Sequence, residues 1–210
     1  MISHPRSLVA ILLVACSAFS FPQLTPGSSS KNKTRNGRDA KSSSTSVADL
    51  VVYRDPQFAF TYKVPYGWVN RTAQMQDPAA DPQQSKLLLA VFERPPEAVG
   101  DTINSAVVIA AESVASYPGL KAAADYVGPL TELTTSKGFK TVGEPYEVSV
   151  GSTSLVRLDF SRELGKLTMY QSSLVLVRNK FVVSFNFIGG TADEVEELIQ
   201  HLSFSAQKSK

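Results

Sequence analysis

With 210 residues, 43% of them hydrophobic and 19% charged, the chain has the composition of a soluble globular protein. Its net charge of +2 is unevenly placed: residues 1–49 hold six Lys and Arg against two Asp, which leaves 15 basic and 17 acidic residues for the remainder. A nucleic-acid-binding domain would carry its basic excess on the folded part, so nucleic acid is set aside as a partner; a single cysteine, Cys16, excludes an intrachain disulfide framework.

The chain opens with Arg6, a short apolar run over residues 8–15 and then small residues, which predicts an export signal over 1–18, too short to span a bilayer. Leu13-Val14-Ala15-Cys16 resembles the lipobox of bacterial lipoproteins, in which the cysteine is acylated and becomes the new N-terminus. Cys16 is therefore the predicted lipid attachment site. Ser17 stands where an inner-membrane lipoprotein often has aspartate, which favours the outer membrane. The alternative is plain secretion, with cleavage after Ala18 discarding the cysteine. A catalytic thiol would need a nearby base, and the two histidines, His4 and His201, lie in the leader and near the far end.

Residues 19–49, rich in Ser, Lys, Asn and Thr with few large apolar side chains, predict a disordered polar tether that cannot bury enough surface to offset its ordering entropy. Its basic residues could rest on anionic headgroups, each at about 1 kcal/mol. The predicted domain occupies 50–206, large enough to bury roughly two-thirds of its unfolded surface without a staple.

Within it Phe58, Phe60, Tyr62 and Val64 alternate with small or polar residues, the period of a strand with one apolar face. Pro65-Tyr66-Gly67 ends that strand in a turn, with Trp68 just beyond. Residues 74–85 read as an exposed loop. Residues 86–94 and 106–111 are apolar on both alternations and predict strands covered on both faces. Helical spacing over 120–136, interrupted by Gly128-Pro129, predicts one kinked helix or two short ones. Three strands follow over 153–161, 167–177 and 181–188, the last two joined by a tight turn in which Asn179 takes a left-handed conformation. Thr191 and Glu194 then form a T-x-x-E capping box, and Val195, Leu198, Ile199 and Leu202 give the helix behind it one buried stripe. The order predicts an α+β domain whose largely antiparallel central sheet is covered by helices.

The F-x-F-x-Y-x-V-P-x-G-W strand and turn, a middle helix, and a closing hairpin running into an acidic-capped helix that ends in Leu202-Ser203-Phe204 resemble the PsbP/Mog1-like superfamily over about residues 51–204. The resemblance implies an α/β/α sandwich used as a protein-binding module. Members include extrinsic photosystem II subunits, a Ran-binding transport factor and exported bacterial lipoproteins. Such members are typically not enzymes. Metal ligands described for some photosystem members are histidines and carboxylates; His201 is the one histidine outside the leader, so no metal site is carried over. A photosynthetic role would require a chloroplast or cyanobacterial source, and the leader does not favour a chloroplast.

The residues themselves give no contrary chemistry: there is no Walker loop, H-E-x-x-H, C-x-x-C or G-x-S-x-G. Asp193, Glu194, Glu196 and Glu197 suit the first turn of a helix, where carboxylates gain from the dipole. No cofactor is expected. The expected partner is an unidentified envelope protein, with the membrane reached through the lipidated N-terminus. Candidate interface residues are Tyr66, Trp68, Arg71 and Arg94, of the types that dominate interface energetics, although a lone Trp is also a common core residue. The alternative function is a small envelope hydrolase or ligand carrier using a pocket between sheet and helix, recognisable by a polar cleft with converging titratable side chains.

Overall fold

The structure, a computed structural model, describes residues 51–205; the leader, Cys16 and the polar segment lie outside the described residues. The strands are β1 (Val52–Asp55), β2 (Phe60–Lys63), β3 (Val69–Asn70), β4 (Ser85–Phe92), β5 (Ala106–Ser113), β6 (Lys140–Val150), β7 (Thr153–Leu164), β8 (Leu167–Arg178), β9 (Phe181–Gly189) and β10 (Leu202–Phe204). The α-helices are α1 (Thr72–Met75), α2 (Val127–Thr135) and α3 (Ala192–Gln200). A seven-stranded sheet has the order β3-β4-β5-β9-β8-β7-β6 and a three-stranded sheet the order β1-β2-β10. Every pairing in both is antiparallel.

Residue alternation in the central strands builds the core. Along β9, Phe181, Val183, Phe185 and Phe187 face one way and Val182 and Ile188 the other, and every residue of the strand is buried. One face of the large sheet is covered by Leu120, Tyr126 and Leu130 from the segment leading into α2 and from α2 itself. The other is covered by Phe58, Phe60 and Tyr62 around β2, by Val195 and Leu198 of α3, and by Leu202. The cover on this side is therefore a small sheet and a helix together. Two polar side chains within the covered sheet find partners: Ser173 Oγ donates to Asn186 Oδ1 at 2.7 Å, and Asn186 Nδ2 to the Val108 carbonyl at 3.3 Å, which offsets their desolvation.

The α+β reading holds, and the expected strands form with local differences that have physical causes; the first is shorter than its pattern, because Ala59 takes a left-handed φ of 54° and leaves Phe58 before β2. The middle helix comes as two short pieces, a 3-10 turn (Ala123–Tyr126) and then α2. Pro129 sits in the first turn of α2, where its missing N–H has no helical partner to lose. Thr191 Oγ1 accepts the Glu194 N–H at 3.1 Å, but the Glu194 carboxylate reaches past Thr191 to the Gly190 N–H at 2.8 Å and to the Ser105 hydroxyl, so half of the expected capping box forms. Leu202, placed on the helix stripe by its spacing, lies in β10. The helix has stopped because the His201 carbonyl accepts the Lys63 N–H at 3.1 Å and draws the chain into register with β2.

Strand β6 gave no strand signal. It contains Gly143 and Pro145, which weaken a strand pattern, and it is tolerated because it is an edge strand with a register shift between Val142 and Tyr146. The β8–β9 turn has two left-handed residues, Asn179 (φ 52°) and Lys180 (φ 65°), as a type I′ hairpin requires. Glycine suits the second position better than lysine, so Lys180→Gly is expected to raise stability by up to about 1 kcal/mol. Chemical denaturation measures the gain; a loss would mean that the lysine side chain supports the turn.

Candidate binding surface

The 65–67 turn positions the first candidate. Trp68 N–H donates to the Pro65 carbonyl at 3.3 Å, and Gly67 takes φ 83°, a conformation an L side chain resists. This lifts Tyr66 to the tip, 83% exposed. Trp68 is half-buried and packs against the aromatic core beneath the small sheet, so it is both core and rim.

Immediately after Trp68, β3 pairs with the end of β4, Val69 opposite Phe92 and Asn70 opposite Val91, and the Arg71 N–H donates to the Ala90 carbonyl at 2.8 Å. Thr72 fixes the entry to α1: its hydroxyl and N–H donate to Asn70 Oδ1 at 2.7 and 2.9 Å, and the hydroxyl oxygen accepts the Ala90 N–H at 2.9 Å. The Asn70-Arg71-Thr72 sequence thus has a structural role. The turn and the end of β4 therefore bring Tyr66, Trp68, Arg71 and Arg94 to one edge of the large sheet.

The two arginines differ in what they do there. Arg94 closes the loop that follows β4: Nη1 donates to Thr102 Oγ1 at 3.0 Å and Nη2 to the Thr102 carbonyl, while its backbone exchanges hydrogen bonds with the Asn104 amide. Its guanidinium lies against Gly100, where a Cβ would come within 2.7 Å of Nη2. Arg94 is a loop strap. Arg71 makes one ion pair, Nη2 to Glu97 Oε2 at 3.1 Å, with a carboxylate the sequence gave no reason to single out.

The remaining polar clusters are engaged inside the domain. Buried Glu112 accepts hydroxyls from Tyr117 (2.8 Å) and Tyr126; burial, and then Glu112 and Tyr117, push the Tyr126 hydroxyl far above the ordinary tyrosine range. Tyr53 is pushed up to about 12 by burial and by Asp55. Arg157 pairs with Asp159 (2.9 Å) and Glu196 and donates to Ser172. Burial works against its charge, but the two carboxylates hold it above the usual arginine range.

His201 donates from Nδ1 to the Lys63 carbonyl at 2.7 Å, so it serves the junction of α3 and β2. Among the described residues no three His, Cys, Asp or Glu side chains gather as metal ligands, and no helix is long and apolar enough to cross a membrane. An open groove of about 620 Å³ runs between Glu93, Ile103, Lys166, Tyr170 and the start of α3. Its Glu194 is already held by Ser105 and Gly190.

No family model and no curated protein matches the sequence. Among solved structures the chain is similar to the cyanobacterial PsbP protein, CyanoP, of Synechocystis sp. PCC 6803, with a TM-score of 0.50 and 12% identity over 79% of this chain and 98% of that one. The fold is PsbP-like. The likeness read from the V-P-x-G-W turn and the closing hairpin thus holds at the level of fold. Two further structures score too low to argue from: a protein of unknown function from Pseudomonas aeruginosa (TM-score 0.38, 17% identity, 72% of this chain and 94% of that one) and LpqN, involved in cell envelope biogenesis of Mycobacterium tuberculosis (0.39, 15%, 72% and 86%). On the PsbP-like domain the candidate surface occupies the β3 edge, across the sheet from β6.

Proposed function

We propose that the chain is an exported envelope protein, anchored through an acylated Cys16, whose PsbP-like domain works without catalysis by binding another envelope protein. The observation that carries this reading is that the turn and edge strand β3 carry an exposed Tyr66, a half-buried Trp68 and Arg71 along one short segment of the sheet edge: aromatic and arginine side chains are the residue types of an interface centre. The PsbP-like fold supports a binding role by analogy. Arg94 contributes by holding the adjoining loop. The hydrolase alternative would need a base or nucleophile free to act, and the described His201, Glu112 and Glu194 are each held by the fold.

Two measurements test the proposal. Mass analysis of the chain produced in a bacterial host, beside Cys16→Ser, should give a mature species that starts at Cys16 with added acyl mass, and membrane association that the variant loses. A photocrosslinking residue at position 66, compared with one at the exposed position 135, should give a discrete adduct from position 66 alone. An unmodified species that starts near Phe19 would overturn the anchor; equal or absent adducts from both positions would overturn the surface.

A further inference from the structure

We infer that the Arg71–Glu97 pair is a self-occupied docking point for a carboxylate of an acidic protein segment. The inference rests on the binding surface proposed above and names the chemistry it takes. Arg71 donates from Nη2 to Glu97, while its Nε, shielded from water, has no hydrogen-bond partner. In a planar guanidinium Nε–H and the Nη2 N–H point along one side, the fork that a carboxylate fills with both oxygens. Glu97 fills half of it. A buried donor without a partner is costly, so a carboxylate that reached both nitrogens would be favoured over the one now present.

The asymmetry of the pair says which member leaves. The Arg71 side chain is 28% exposed and that of Glu97 73%, so the cation is held by its surroundings while the anion stands largely in water. An exposed ion pair contributes little, and releasing Glu97 to solvent costs correspondingly little. Apolar side chains lie on the same two segments: Tyr66 on the turn before β3 and Val99 on the Glu97 loop, 83% and 88% exposed, are the two most exposed large hydrophobic side chains among the described residues. Residues 50–210 carry 15 basic and 17 acidic side chains, so the domain exerts no general pull on an acidic chain. Attraction there is local to Arg71.

Trp68, the single tryptophan of the chain, lies three positions before Arg71 and serves as the reporter. The full chain carrying Cys16→Ser is titrated with a poly-glutamate peptide and Trp68 fluorescence is followed at low and high salt. A saturable change is expected, weakened by salt, about tenfold or more weaker in Arg71→Gln and intermediate in Arg71→Lys, which keeps the charge and loses the fork. Glu97→Gln removes the internal competitor and should tighten binding by up to about fivefold. Unfolding curves of the variants confirm the fold, and exposed Glu97 gives a readout even if Arg71 variants are unstable.

No saturable change, or an affinity indifferent to both Glu97→Gln and Arg71→Gln, overturns the inference. So does a Trp68 response to phosphatidylglycerol–phosphatidylcholine vesicles without one to the peptide, which would turn the surface toward lipid. Adducts from position 66 together with a silent peptide would overturn the chemistry and leave the binding surface standing. Peptide binding without such adducts would do the reverse.

Discussion

Phe60→Ala is expected to lower the unfolding free energy by about 3–5 kcal/mol, read as a fall in the denaturant midpoint with little change in slope. The residue is 1% exposed, and its ring meets Phe185 of the large sheet edge-on at 5.0 Å, Tyr53 of β1 at 5.8 Å and Phe204 of β10 at 6.3 Å. Phe204 in turn meets Phe185 at 5.8 Å. One side chain therefore joins all three strands of the small sheet to the centre of the large one. Truncation leaves a cavity that these rings cannot close without leaving their own contacts. Thr61→Ala is the control: its hydroxyl faces Ser203 on the exposed side at 2.6 Å, and its loss should stay within roughly 0.5 kcal/mol. Equal effects at both positions would mean that the two sheets are not packed through this register.

That contrast also marks where the sequence was legible. The period-2 pattern of Phe58, Phe60, Tyr62 and Val64 foretold the buried face, although only Phe60 and Tyr62 lie in β2, where a one-residue slip would expose both. The same logic foretold β9. The sequence could not show that Leu202 leaves the helix for β10, since that depends on the His201 carbonyl accepting the N–H of Lys63, distant in the chain. β6 was hidden by Gly143 and Pro145, residues that an edge tolerates and a centre does not.

At the candidate surface, the exposure of Tyr66 at a turn tip and the partial burial of Trp68 were legible from residue type and turn chemistry. Nothing local in the sequence reveals that Thr102, Asn104 and Gly100 close upon Arg94. Glu97 follows two prolines in a loop with no periodic signal, and its pairing with Arg71 is a tertiary fact.

Arg157→Leu is expected to cost about 2–3 kcal/mol, and the loss should be concentrated at the β6 edge. The Arg157 side chain is 12% exposed and lies between Asp159, 21% exposed, and Glu196, 49% exposed. Asp159 also accepts from Ser172 and, at 3.0 Å, from Tyr146. Breaking a fully buried pair costs about 3–5 kcal/mol; because Glu196 stands half in water, the expectation here is set below that. Removing Arg157 and Asp159 together, as a Leu pair, should recover part of the loss, since the unpaired carboxylate then disappears too.

The cluster ties four elements together, with Tyr146 on β6, Arg157 and Asp159 on β7, Ser172 on β8 and Glu196 on α3. Although most of β6 is exposed, the ladder with β7, Val148 and Val150 against the core, and Tyr146 hold it to the domain. Amide exchange should therefore rise first along β6. Trp68 fluorescence at the opposite edge of the sheet should not move until global unfolding. Early loss of the Trp68 signal would mean that the two edges are coupled through the core, and that a partner bound at β3 is sensed at β6.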